Sequence, residues 1–345
     1  MNAINTLSQL VTQSGCQYQV YDLGRRVTPI TCQDFENIEQ GRQAYPYPVQ
    51  KRAQFALAYW NQEQQPWIWF LTFPLDERGL LNAADIGQYL QYIVQAIGHN
   101  LAAPLSEEQQ EHLANNPYNF KPKEDKLAVF NSQLSVQLAL PASQFYAPTQ
   151  AYFRSPSALS NWQHLGLQGI SDYCCRLNED NNLVHLIDAL PQLPLSPLYA
   201  LLGMVEHLTP PKALLNALEQ RLYQQAQAPD ADIFLISALL RAVSGAAKSQ
   251  QQAVLSWLWA NPHLCHKEVL IAVAGRNWHW LDNPIDSEAF LLQLAKRQDQ
   301  ALFNQLFADL VMLPQLRQVI LPLLHSQPSA ELAQALLQLQ QATRG

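Results

Sequence analysis

Charge is scarce in this chain, where Asp, Glu, Lys and Arg make up 14% of 345 residues against roughly 25% in an ordinary domain. Two short stretches nevertheless concentrate it. Asp22, Arg25 and Arg26 lie within Val20–Arg26, and Asp76, Glu77 and Arg78 within Phe73–Gly79. Carboxylates paired and flanked by guanidinium groups are the ingredients of a phosphate-binding or metal-assisted site, because arginine forks match oxyanions and paired carboxylates hold cations or protons. The same ingredients also make a plain ion-pair latch that fixes strand register and closes a hairpin. The latch is the simpler reading; a ligand or enzymatic site at Asp22, Arg25, Arg26, Asp76 and Glu77 is the alternative.

Other reactive groupings are weaker. His263, Cys265 and His266 have metal-binding chemistry but no fourth ligand at a reachable spacing. Cys174 and Cys175 are adjacent, so on a helix their thiols point apart, and core packing accounts for them. No glycine-rich phosphate loop, Gly-x-Ser-x-Gly elbow or two-histidine metal helix is present. No cofactor or metal is expected, and nothing in the sequence asks for an enzyme.

Composition narrows the class further. Basic and acidic residues number 10 and 13 in residues 1–154 and 11 and 15 in residues 155–345, for a net charge of -7. Neither half carries the positive field that would neutralise several phosphates, which argues against a nucleic-acid partner. Five cysteines are too few and too scattered for a disulfide framework, and one would be left over. The first residues lack the basic and apolar regions of a signal peptide, and no apolar run reaches the ~20 residues of a membrane span. The expected address is the cytoplasm, without membrane insertion.

The elements that must position the two charged stretches come next. Residues 3–13 have helical spacing, and 18–30 alternate around Gly24 as one bulged strand or a strand pair. A helix over 31–42 follows, with Thr31 as N-cap. Two aromatic-rich runs, 53–60 and 67–73, flank a polar insert and read as an antiparallel hairpin. Asn82 then caps a helix to about Gly98. Residues 1–101 are thus expected to form a small α+β domain. The polar, proline-bearing stretch 102–126 reads as a linker.

Residues 127–345 read as an all-α, HEAT/TPR-like helical-repeat solenoid. From about Ser160, apolar residues recur every ~35 residues, with units from about 160, 195, 230, 265 and 300. The first helix of each unit is marked by columns such as Leu201, Ile236, Ile271 and Leu306, or Leu208, Val243, Trp278 and Leu313; the second by Ile187, Leu222, Trp257 and Leu292. Pro322 should end or kink the helix that contains it.

Val20–Arg26 and Phe73–Gly79, with the order of an α+β start and then helices, resemble a bacterial family known as a domain of unknown function. The resemblance covers nearly the whole chain and implies a cytoplasmic protein without assigned activity. The expected function is a non-enzymatic interaction scaffold, its solenoid groove receiving a protein partner, a peptide or a second copy of the chain. Trp259 and Trp280 are the expected exposed anchors, because each follows a tryptophan, Trp257 or Trp278, that already fills an apolar column.

Overall fold

The computed structural model describes residues 4–62, 66–97, 101, 106–107, 109, 113, 116–155, 159–326 and 328–344. The chain divides into two compact units, Met1–Lys123 with Met312–Pro314, and Glu124–Val311 with Gln315–Gly345.

The first unit is built on a four-stranded antiparallel sheet of order β2-β1-β3-β4, with β1 at Gln17–Asp22, β2 at Thr28–Ile30, β3 at Arg52–Trp60 and β4 at Trp67–Pro74. Residues 18–30 are therefore a strand pair. Alternate residues Ala53, Phe55, Leu57 and Tyr59 turn one face of β3 into a core shared with α1 (Leu7–Gln13), α2 (Cys32–Glu39) and α3 (Ala83–Ile97). Phe55 is fully buried, with its ring centroid 5.3 Å from that of Phe35 on α2; such burial is worth about 2–3 kcal/mol. The helix starts are set locally. The Thr31 hydroxyl accepts from Asp34 N–H at 3.1 Å, and Asn82 accepts from Ala84 N–H at 3.0 Å.

The stretch read as a linker contributes to this unit. Thr72 N–H donates to the Tyr118 carbonyl at 2.7 Å and Phe120 N–H to the Phe70 carbonyl at 3.1 Å, so residues 118–120 cover the β4 edge. The Tyr118 ring stacks on Phe73 at 4.9 Å. Proline and polar neighbours mask these aromatics in the sequence. Residues 102–105, 108, 110–112 and 114–115 of that stretch lie outside the described residues.

The second unit is helical. Its helices are α4 (Glu124–Gln137), α5 (Tyr146–Arg154), α6 (Leu167–Cys175), α7 (Asn182–Ala189), α8 (Leu195–Val205) and α9 (Lys212–Gln227), then α10 (Ile233–Ala242), α11 (Lys248–Ala260), α12 (Lys267–Arg276), α13 (Pro284–Ala295), α14 (Gln300–Met312), α15 (Pro314–Ile320) and α16 (Ala330–Arg344). Each of α4, α6, α8 and α10 packs on the helix two further along, as do α5, α7 and α11. Pro322 falls where α15 gives way to a 3-10 turn over Leu321–His325, as a residue without an N–H dictates. Among the described residues no single helix is long and apolar enough to cross a membrane, and Gln300–Met312 with Pro314–His325 passes that test only as a pair bent by 120°.

The apolar columns hold in part. Leu201, Ile236 and Leu306 are buried, but Ile271 is 39% exposed and Leu270 takes its place. In the second helices the fully buried column is Leu186, Leu222, Leu258 and Leu294, so Leu222 is as marked, Leu186 and Leu258 lie one residue from the marked positions and Leu294 two.

Candidate functional site

Asp22 ends β1 and is wholly buried. Its carboxylate accepts from the backbone N–H groups of Gly24 at 3.1 Å, Arg25 at 3.0 Å and Arg26 at 3.2 Å, and its Oδ1 lies 2.7 Å from the Tyr45 hydroxyl. Gly24 packs closely here: a Cβ would sit 3.2 Å from both Asp22 Oδ1 and Val49 Cγ2. Arg25 is buried with its Nε donating to the Pro48 carbonyl at 3.0 Å, and Arg26 is half-buried. Burial and the Asp22 charge both push the Tyr45 phenol well above its ordinary range. Asp22 thus ties the β1–β2 turn to the segment bearing Tyr45 and Pro48.

Asp76 serves a different turn. Its Oδ1 accepts from Arg78 N–H at 2.9 Å and Leu80 N–H at 2.8 Å, and Oδ2 pairs with Arg78 Nε at 3.2 Å. The Leu80 N–H first, then the Arg78 contacts, hold this carboxyl below its usual range. Gly79, at φ +82°, supplies the left-handed residue the turn requires. Glu77 is exposed. The two charged stretches therefore do not pool their carboxylates: one is sealed beneath a turn, and the other faces solvent beside an open cleft of about 450 Å³.

The second pair of expected residues divides. Trp280 is buried, correcting the expectation that it is an exposed anchor. It lies in a 3-10 turn, Trp278–Leu281, and its Nε1 donates to the Ser244 carbonyl at 3.3 Å. The tight turn folds both Trp278 and Trp280 inward. Trp259 is half-buried, its Nε1 3.4 Å from Asp286 Oδ1 on α13.

The sulfur and imidazole groupings take structural positions. His266 Nδ1 accepts from Glu268 N–H at 3.3 Å and so caps α12. Cys265 is buried, its thiol pushed up to about 11 by burial, and the same cause pushes Cys175 up to about 12 and Cys174 well above the ordinary range. Protonated thiols are poor nucleophiles. Among the described residues, no three His, Cys, Asp or Glu side chains gather as a metal site.

A grouping not singled out from the sequence lies on the α8–α10–α12 row. Buried Glu206, which caps the C-terminus of α8, receives Arg241 Nε of α10 at 2.7 Å and Arg276 Nε of α12 at 2.5 Å. The three residues sit 35 apart, each one past a position of the repeat columns, which is the signal that would have found them. The same row carries large exposed apolar residues, Leu195 (56%), Phe234 (63%) and Ile271. Leu195 and Tyr199 share a face of α8, and the Tyr199 hydroxyl donates to Asp232 Oδ2 at the start of α10, 3.2 Å away. Ser237, one turn beyond Phe234, donates to the Glu268 carbonyl at 3.2 Å, one turn before Ile271. Gly203 and Gly275 lie inside α8 and α12, and a Cβ on either would meet nothing within 4 Å.

A small antiparallel α+β unit followed by a helical unit defines the class of protein. The chain belongs to the family described as protein of unknown function DUF3549, whose model matches residues 2–340. No curated protein and no solved structure matches it significantly.

Proposed function

We propose that the helical unit is a HEAT/TPR-like solenoid and that the chain is a non-enzymatic, cytoplasmic interaction scaffold whose α8–α10–α12 face receives an amphipathic helix of a partner protein. The observation that carries this is the pair Gly203 and Gly275. A glycine inside a helix costs about 1 kcal/mol relative to alanine, and neither position is crowded by the fold itself. A residue that weakens its helix without easing internal packing leaves room for a backbone arriving from outside. Leu195, Phe234 and Ile271 supply apolar contact beside that room. The five free cysteines accord with a reducing compartment.

A photo-crosslinking residue placed at Phe234 tests the reading, with one at exposed Lys212 as control. The expected result is adducts with one protein from the Phe234 position, mapping to an apolar-striped helical segment. Gly203→Leu and Gly275→Leu should abolish them while leaving the melting temperature unchanged or raised. Equal adducts from both positions, or none, would overturn it. The alternative, a ligand site at Asp22, Arg25, Arg26, Asp76 and Glu77, has less support because Asp22 is spent on backbone donors and Asp76 on its own turn.

A further inference from the structure

Four arginines of the helical unit are matched to carboxylates. Arg154 pairs with Asp180, Arg176 with Asp172 and Glu179, and Arg241 and Arg276 with Glu206. Arg221, on α9, is not among them. Among the described residues no carboxylate lies within ion-pair distance of it, and its one bond is from Nη1 to the Leu190 carbonyl at the end of α7. The remaining N–H groups of its fork are neither bonded nor sealed in.

Arg221 lines a cleft of about 440 Å³ between α7 and α9. Ile187, Leu190 and Pro191 form one wall, Gln224 and Gln225 add amide donors, and no acidic residue lines the cleft. The guanidinium is half-buried, and burial alone lowers its affinity for its proton. A cation held partly out of water with no counter-charge is a cost the fold does not offset.

We propose that this cleft binds a small organic carboxylate, its carboxyl group on the Arg221 fork and its apolar body against Ile187, Leu190 and Pro191. A carboxylate is favoured over a phosphate dianion because one planar fork satisfies two carboxyl oxygens, whereas the cleft offers no second cation to match a second negative charge. The site lies on the second-helix row and is independent of the partner face proposed above.

Phenylacetate, hexanoate, phenylacetamide and inorganic phosphate titrated into the full chain, read by the methyl resonances of Ile187 and Leu190, test the assignment. The two carboxylates should give saturable shifts and raise the melting temperature, and phenylacetamide should bind at least about tenfold more weakly for want of the charged contact. Arg221→Gln should remove the difference between acid and amide; Arg221→Lys should keep only part of it. The acid–amide comparison needs no variant, so it stands even where a substitution unfolds the chain. Equal binding of acid and amide, tighter binding of phosphate, no saturable shift, or unchanged binding by a folded Arg221→Gln would each overturn the proposal.

Discussion

Asp22 and Glu39 show how differently two buried carboxyl groups act. Asp22 gathers three backbone N–H donors and faces the Tyr45 hydroxyl, so Asp22→Ala orphans several buried donors together. The expected loss is about 3 kcal/mol in chemical denaturation. Asp76→Ala should cost far less, and the effects of Arg25→Ala and Asp76→Ala should add, since each serves its own turn; strong coupling would restore a shared site. Glu39 accepts from Leu7 N–H at 2.6 Å and Ser8 N–H at 3.1 Å at the start of α1. Those bonds favour the charged form, but burial outweighs them and pushes the carboxyl up from 4.5 to about 7. The folded chain therefore holds this proton to higher pH than the unfolded chain. Its contribution to stability is complete below about pH 4.5, falls as pH rises and levels off above about 7, with a slope on the order of 1 kcal/mol per pH unit. Glu39→Gln should flatten that part of the denaturation midpoint against pH; an unchanged profile would refute the assignment. The clustering of Asp22 with Arg25 and Arg26 was legible in sequence. That its oxygens are consumed by the backbone was not, because only the folded turn brings those N–H groups round.

Caps, strands and proline breaks were legible because they are local: Thr31, Asn82, the β3–β4 hairpin and the Pro322 break each depend on a few neighbouring residues. Helix faces were legible only approximately. One residue turns a helix by about 100°, so a period that is off by one residue carries the column away from the buried face. Leu186, Leu222, Leu258 and Leu294 step by 36, and Ile236 to Leu270 by 34, around an assumed 35. The consequence is measurable. Leu258→Ala, at a fully buried site, should cost about 2–5 kcal/mol, and Trp257→Ala, at a half-buried one, less despite the larger side chain. The reverse order would reinstate the 35-residue column. On the opposite row, Gly203→Ala and Gly275→Ala should each raise stability by up to about 1 kcal/mol, as open helix-interior glycines do. A loss would mean that the fold itself needs those positions empty.

At the scale of the whole molecule, the ion pair of Glu206 with Arg241 and Arg276 reaches far along the chain, joining residues 70 apart. A carboxylate at the C-terminus of α8 opposes that helix's dipole, whereas the two arginines favour the C-termini of α10 and α12. Glu206 is nearly buried while its partners keep 33% and 22% of their side-chain surface, so solvent screens part of the attraction. Glu206→Gln should therefore cost about 2 kcal/mol, below the 3–5 kcal/mol of breaking a fully buried pair. If the triad exists for strength, replacing all three residues with methionine should be as damaging as Glu206→Gln. If it exists to fix the relative register of α8, α10 and α12, the triple variant should recover most of the stability, because removing every charge also removes the desolvation cost. Its urea transition should then broaden, the methyl spectrum reporting more than one packing of the three helices. Since the triad borders the Leu195–Phe234–Ile271 face, the register role further predicts that the triple variant loses crosslinking at Phe234 while keeping its melting temperature. A variant that is equally stable and still crosslinks would show the triad to be dispensable to both.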